Sequence, residues 1–308
     1  MNRAKFLHDL DKVVNGFCCA ARDQLRARWE AWKLDLACRT EHEVVGGLVA
    51  RQVTLAEQLA MAPSTWNGHL APLVLRGMAE VHITLAWILL DRSTRAAKFI
   101  HYGLGQKKLE LEHHRAQLGN EAPKELTDML SHTESWINSQ RFTFLTSVNL
   151  GSWSGQSVRK MAEEAGCLDF YDMVYTLFSA CSHSMWYHVA VYNLEPCSCA
   201  LHQMHQVPTA GDAAIDPHYF SLAAKFLQKS FTAFDQALGV NIGGQDLYEV
   251  VMADLQRILA ESESSEVLPR RLDDGEASRL VDGHRSGDSR PRSARNAHRR
   301  VGSPGFSS

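Results

Sequence analysis

The chain lacks any apolar run long enough to cross a membrane. Its most apolar stretch, Val81 to Leu90, falls well short of the ~20 residues that a span requires. It also lacks a leader-like start, because Met1 to Arg22 alternates charged and apolar residues without an apolar core. A soluble, cytoplasmic protein with no membrane contact is therefore expected. Neither sign of charge dominates: 32 Lys and Arg against 35 Asp and Glu leave a net charge of −3, so the chain as a whole has no field that would gather nucleic acid. Its seven cysteines are an odd number, and Cys18 and Cys19 are adjacent, which suits reduced thiols better than a disulfide framework. Neither Gly-x4-Gly-Lys-Ser/Thr nor Gly-x-Gly-x2-Gly occurs, so no nucleotide cofactor is expected. No strands alternate with helical patterns, which argues against βαβ architecture, and no repeat of useful period is present.

What is present is helical periodicity. Apolar residues make up 45% of the 308 and charged residues 22%, enough to bury a sizeable core. An all-α, multi-helix bundle over residues 1–260 is expected, as a single domain. A first helix spans about 2–36, with Phe6, Leu10, Val13, Phe17, Ala21, Leu25 and Trp29 on its stripe. Arg22, Arg26 and Arg28 fall mostly off that stripe and are expected on a solvated face. A second helix over about 41–61 holds Gly46 and Gly47, a point of weakness or of close packing. A third, 71–91, is apolar almost all round and so belongs at the centre. Helices are expected over 92–102, ending at Gly103 and Gly105, and again over 106–118 and 123–138. Residues 141–152 are expected to be an irregular connection, with a short strand as the alternative. Ser154 or Ser157 caps a helix that Gly166 ends. Further helices are expected over 168–194, from Pro217 onward, and over 245–260. From Glu261 the composition turns to Ser, Arg, Asp and Gly, the mark of a disordered tail. Its end, from Gly283, holds six Arg against one Asp. A solubilising extension is the favoured reading, with weak polyanion contact beside it.

Two stretches carry polar residues on apolar helices. On the central helix, Arg76 and Glu80 are four apart and can meet on one face. On the helix that begins at Leu168, Tyr175, Ser179 and His183 recur every four residues, a slowly drifting stripe. Such groups must be paired when buried. They form either a buried polar brace that fixes helix register or a site for acid–base or phosphodiester chemistry. In such a site a His moves protons, an Arg holds phosphate and a hydroxyl positions it. Ser179 and His183 are also near enough for an activated hydroxyl, but the Gly-x-Ser-x-Gly elbow is absent. Further on, Cys197, Cys199, His202 and His205 are four metal-ligand types within nine residues. Cys-x-Cys-x2-His-x2-His is not a standard zinc spacing, and one short loop would have to wrap four corners of a tetrahedron. A polar loop packed on the long helix is expected there, with no bound metal.

The order Arg76-x3-Glu80, Trp153, then Tyr171-x3-Tyr175-x3-Ser179-x3-His183 resembles an uncharacterised bacterial all-helical family, a domain of unknown function, over about residues 70–205. A more distant similarity is to the HEPN superfamily, helical proteins of bacterial defence and toxin–antitoxin systems. Many of those are metal-independent endoribonucleases that act across a dimer, with an Arg-x4–6-His signature. This chain holds Arg76-x5-His82 and Arg95-x5-His101, while Tyr175 to His183 has Ser and Thr where the signature has Arg. The resemblance implies an RNA-cleaving protein of defence or stress response. His183 would be the acid/base, Arg76 the phosphate contact, Tyr175 and Ser179 the positioning hydroxyls and Glu80 the group that orients Arg76. The alternative is a non-catalytic helical interaction or scaffold protein, partnered by a second copy or another protein, in which the same five residues form a brace.

Overall fold

The computed structural model describes residues 3–118, 123–140, 152–202, 204–211 and 214–266. The expected connection over 141–151 and the tail from 267 lie outside these residues. The chain divides into a unit Met1–Glu263 and a unit Ser264–Ser308. Of the second unit, only residues 264–266 are described, as the end of the last helix.

Among the described residues, the first unit is all-α apart from one hairpin. Its helices are α1 (Arg3–Ala31), α2 (Arg39–Ala60), α3 (Ala71–Leu90), α4 (Arg92–Leu118), α5 (Lys124–Ser139), α6 (Val158–Glu164), α7 (Leu168–Phe170), α8 (Thr176–Ser182), α9 (Trp186–Tyr192), α10 (His218–Leu238) and α11 (Leu247–Glu266). A π-helical turn, Tyr171–Tyr175, joins α7 to α8. Strands β1 (Leu194–Pro196) and β2 (Gln206–Pro208) pair antiparallel.

α3 is the centre, packed by α2, α10, α8 and α6. It has the length and mean hydropathy of a membrane span, which the run Val81–Leu90 alone does not suggest. Its burial against the surrounding helices accounts for that character. Leu75, Met78, Ile83, Leu85 and Ile88 are fully enclosed, together with Phe220, Phe226, Phe231 and Phe234 from α10. Trp66 stacks on Phe220 at 5.2 Å and donates its indole N–H to the Leu59 carbonyl at 2.6 Å, so the α2–α3 connection is part of the core. A smaller cluster of Leu111, Leu130 and Ile137 joins α4 to α5.

Three expectations change. First, Gly103 and Gly105 do not end a helix; α4 runs through both. Glycine weakens a helix without terminating it unless it takes a left-handed φ, as Gly166 and Gly239 do. Second, Arg28 is buried rather than solvated. Its guanidinium donates to both carboxylate oxygens of Asp235 at 2.8 and 2.6 Å and lies over the Phe231 ring. Arg22 forks onto Glu57 but stays mostly exposed, as expected. Third, the helix from Leu168 does not reach Leu194. It closes at His183, where Ser184 takes a left-handed φ of 47°. There the Ser184 N–H reaches the Cys181 carbonyl and the Met185 N–H the Ala180 carbonyl, the paired bonds of a Schellman closure. Glycine usually occupies that position, so a serine gives no warning of the break. The last helix also runs past Ala260 to Glu266. Two local readings stand: Ser157 caps α6 by accepting from the Lys160 N–H, and a methyl group at Gly46 would run into the Trp29 ring.

Candidate functional site

The π turn decides where the polar residues go. One extra residue in the turn rotates the helix downstream of it, and such turns often mark functional positions. Here it brings Tyr171 and Tyr175 into a stack, with ring centroids 5.0 Å apart, and sets Tyr175 against α3. Arg76 donates to Glu80 Oε2 at 2.8 Å and to the Tyr175 hydroxyl at 2.5 Å, and its guanidinium lies 4.5 Å from the Tyr175 ring centroid. Arg76 Nε has no acceptor. The Arg76 side chain is 22% exposed and that of Glu80 46%, so this cluster opens to solvent on one side. Burial, with the Glu80 carboxylate beside it, raises the Tyr175 phenol above its ordinary range. The phenol therefore stays protonated at neutral pH.

Ser179 and His183 do not join them. The Ser179 hydroxyl donates back to the Tyr175 carbonyl at 2.6 Å, the usual fate of a serine inside a helix. His183 is exposed at the end of α8. Of the five expected residues, the fold thus gathers Arg76, Glu80 and Tyr175.

Neither Arg-x5-His pattern makes a pair. Six residues along a helix turn the second side chain roughly 120° from the first, so Arg76 faces Tyr175 while His82 faces α10. His82 Nδ1 lies 3.1 Å from the Ser230 hydroxyl. Gln52 donates to Ser230 at 3.0 Å and to the Met78 carbonyl at 3.1 Å, and the Ser230 hydroxyl donates to the Phe226 carbonyl. Desolvation, helped by the Lys229 charge, holds His82 down to about 3. It is neutral throughout the physiological range and moves no proton there. Arg95 is spent on the Trp87 carbonyl at 2.6 Å and on Glu164, with its guanidinium 3.8 Å from the Trp87 ring centroid. Trp153 packs edge-on against Trp87 and Phe99, a structural anchor for the turn before α6.

The fold also gathers residues that spacing does not reveal. His69, in the connection before α3, meets His188 and Tyr192 of α9, with ring centroids 5.6 and 5.0 Å away. Cys181 donates to the His69 carbonyl. A cavity of ≈ 460 Å³ opens here, lined by Gly68, His69, Tyr192, Thr209, Asp216 and Tyr219. Burial, with Tyr192 beside it, pushes Tyr219 up to about 12. Desolvation and then His69 lower His188. Gln52 and Ser230 escape the spacing rules too. Their one signal is a single polar residue at a core position of an otherwise apolar stripe.

Residues 42–196 match the family described as "Family of unknown function (DUF5677)", half of the chain, and the protein belongs to that family. The match takes in Arg76, Glu80, Tyr175, Ser179 and His183 and stops short of Cys197. No curated protein and no solved structure matches the chain.

Proposed function

We propose that this member of the DUF5677 family is a helical interaction protein that self-associates through the segment from the π turn to α9. The observation that carries this reading is the composition and exposure of that segment. Between Asp172 and Glu195 there is no Asp, Glu, Lys or Arg. Six large apolar side chains in it, Met173, Leu177, Met185, Trp186, Tyr187 and Val191, are each more than half exposed, Met173 and Trp186 by over 70%. Isolated exposed apolar residues need no explanation, but a concentration of them marks an interaction surface. Depletion of charge, with Trp, Tyr and Met enriched, is the composition of an interface core. A standard interface needs roughly 800 Å² per partner, and two aromatic rings of roughly 150–250 Å² each with four aliphatic neighbours approach that area. A second copy suits this face, because a two-fold interface sets the same patch against itself and an uncharged patch does not repel its image. In this reading Arg76, Glu80 and Tyr175 are the brace that holds the π turn against α3.

Analytical ultracentrifugation of the full chain tests this. The wild type is expected to dimerise with rising concentration. The double variant Leu177→Asp, Trp186→Asp is expected to stay monomeric with its helical circular dichroism unchanged, since both side chains are exposed in the single chain. A monomeric wild type, or a dimer that survives both substitutions, refutes the reading.

A second reading is the endoribonuclease implied by the HEPN resemblance, in a defence or stress role. Two groups favour it: the Arg76 side chain is partly exposed, and His183 is exposed on the segment that carries Tyr175. His183 would then be the acid/base, and Arg76, oriented by Glu80, the phosphate contact. Growth, total-RNA integrity and thermal melting of the wild type and His183→Ala distinguish the two. Loss of RNA cleavage in a folded variant supports the nuclease; intact RNA with both proteins removes it.

A further inference from the structure

We propose that the β1–β2 hairpin is a zinc-type metal site, with Cys197, His202 and His205 as its protein ligands. Their ligand atoms all lie within 4.8 Å of one another. Cys197 Sγ is 3.6 Å from His202 Nδ1. In a tetrahedral site with Zn–S near 2.3 Å and Zn–N near 2.0–2.1 Å, sulfur and nitrogen ligands stand about 3.5 Å apart, so this pair is already at the spacing of a tetrahedron's edge. The His202 and His205 rings sit 5.4 Å apart, turned 69° to each other.

The spacing argued against a metal because a short loop would have to wrap around it. The hairpin removes that objection. Pro196 pairs with Gln206 in the ladder, and the Cys197 N–H donates to the His205 carbonyl at 2.9 Å. The first and last ligands are therefore neighbours across the strands before any ion binds. The interior of the loop is turned by the His202 N–H on the Cys199 carbonyl and the His205 N–H on the His202 carbonyl, with Met204 at a left-handed φ of 58°. The Cys199 N–H donates to Cys197 Sγ at 3.5 Å, an outer hydrogen bond of the kind that steadies a thiolate ligand. Cys199 is exposed and outside this group, so the fourth corner is left to water.

A second observation is that the described apolar side chains of the loop are not buried: Leu201 is 90% exposed and Met204 fully so, so backbone hydrogen bonds rather than an apolar core shape it. Small elements without a core are commonly stapled by a metal. One thiolate and two imidazoles, with no carboxylate among them, favour a soft-to-borderline tetrahedral ion such as Zn²⁺ over Ca²⁺ or Mg²⁺.

The test uses the full chain, reduced and stripped of metal by chelation. Co²⁺ is the optical probe and Zn²⁺ the competitor. The expected result is one Co²⁺ per chain with a thiolate-to-metal absorption band, displaced by Zn²⁺. Cys197→Ser and His202→Ala are each expected to weaken binding by more than about a hundredfold, beyond the loss that outer-shell changes cause. Circular dichroism of the metal-free variants should match the metal-free wild type, because the loop is peripheral to the core. Cys38→Ser, at an exposed cysteine elsewhere, should bind as the wild type does. No thiolate band, or equal affinity in wild type and both ligand variants, overturns the proposal.

Discussion

α3 carries two polar clusters on different faces, and the contrast between them is instructive. Toward α10, His82, Gln52 and Ser230 are sealed. Gln52 and Ser230 are fully enclosed, their donors spent on one another and on main-chain carbonyls. Toward the π turn, Arg76, Glu80 and Tyr175 are bonded to one another yet reach solvent. The sealed cluster ties α2, α3 and α10 together through side chains that solvent hardly reaches. The open cluster keeps its charges partly exposed, while each cluster encloses one unpartnered atom, Gln52 Oε1 in the first and Arg76 Nε in the second. A buried polar group costs most when stripped of its partner, whereas a partly exposed one lets water replace what is lost. Removing equivalent groups from the two clusters should therefore cost very different amounts.

The largest effect is expected at the sealed cluster. Gln52→Ala leaves a cavity and unpartnered acceptors, and should lower unfolding stability by about 3 kcal/mol. Urea denaturation would show it as a shifted midpoint at unchanged slope. A shift of under half that would mean the cluster is wet rather than sealed.

Acid should separate the clusters next. His82 is held near 3 in the fold, against 6.5 when unfolded. Below 6.5 the unfolded chain takes a proton that the folded one refuses. That part of the stability is complete above pH 6.5 and is lost as pH falls toward 3. Between pH 7 and pH 5 the loss is about 2 kcal/mol. In His82→Gln it should vanish, flattening that part of the stability–pH curve. The same slope in wild type and variant would show that His82 is not the group responsible.

The smallest effect belongs to the open cluster. Tyr175→Phe removes one hydrogen bond from Arg76 but keeps the ring beneath the guanidinium, and should cost about 1 kcal/mol. A cost matching that of Gln52→Ala would erase the distinction between the clusters.

What could be read from residue order was whatever depends on near neighbours. The stripe Phe220, Ala223, Phe226, Phe231, Phe234 specifies α10, and Pro72 with an apolar run specifies α3, because an amphipathic face repeats every turn. Arg76–Glu80 was legible for the same reason. The Tyr175–Ser179–His183 stripe was legible from the same four-residue spacing. What spacing could not give is that the Ser179 hydroxyl turns back to the Tyr175 carbonyl while His183 is exposed at the helix end.

The chain by itself therefore determined that this protein is helical, which faces are apolar, and that α3 lies at the centre. Those properties arise from periodicity and burial of apolar area. Tertiary structure alone decided the partners: Arg28 with Asp235, His82 with Ser230, His69 with His188, Arg76 with Tyr175. These residues lie far apart in the chain, and no local rule pairs them. The hairpin is the sharpest case. The spacing of Cys197, Cys199, His202 and His205 argued against a metal, whereas strand pairing sets Cys197 beside His205, the juxtaposition on which the proposed site rests.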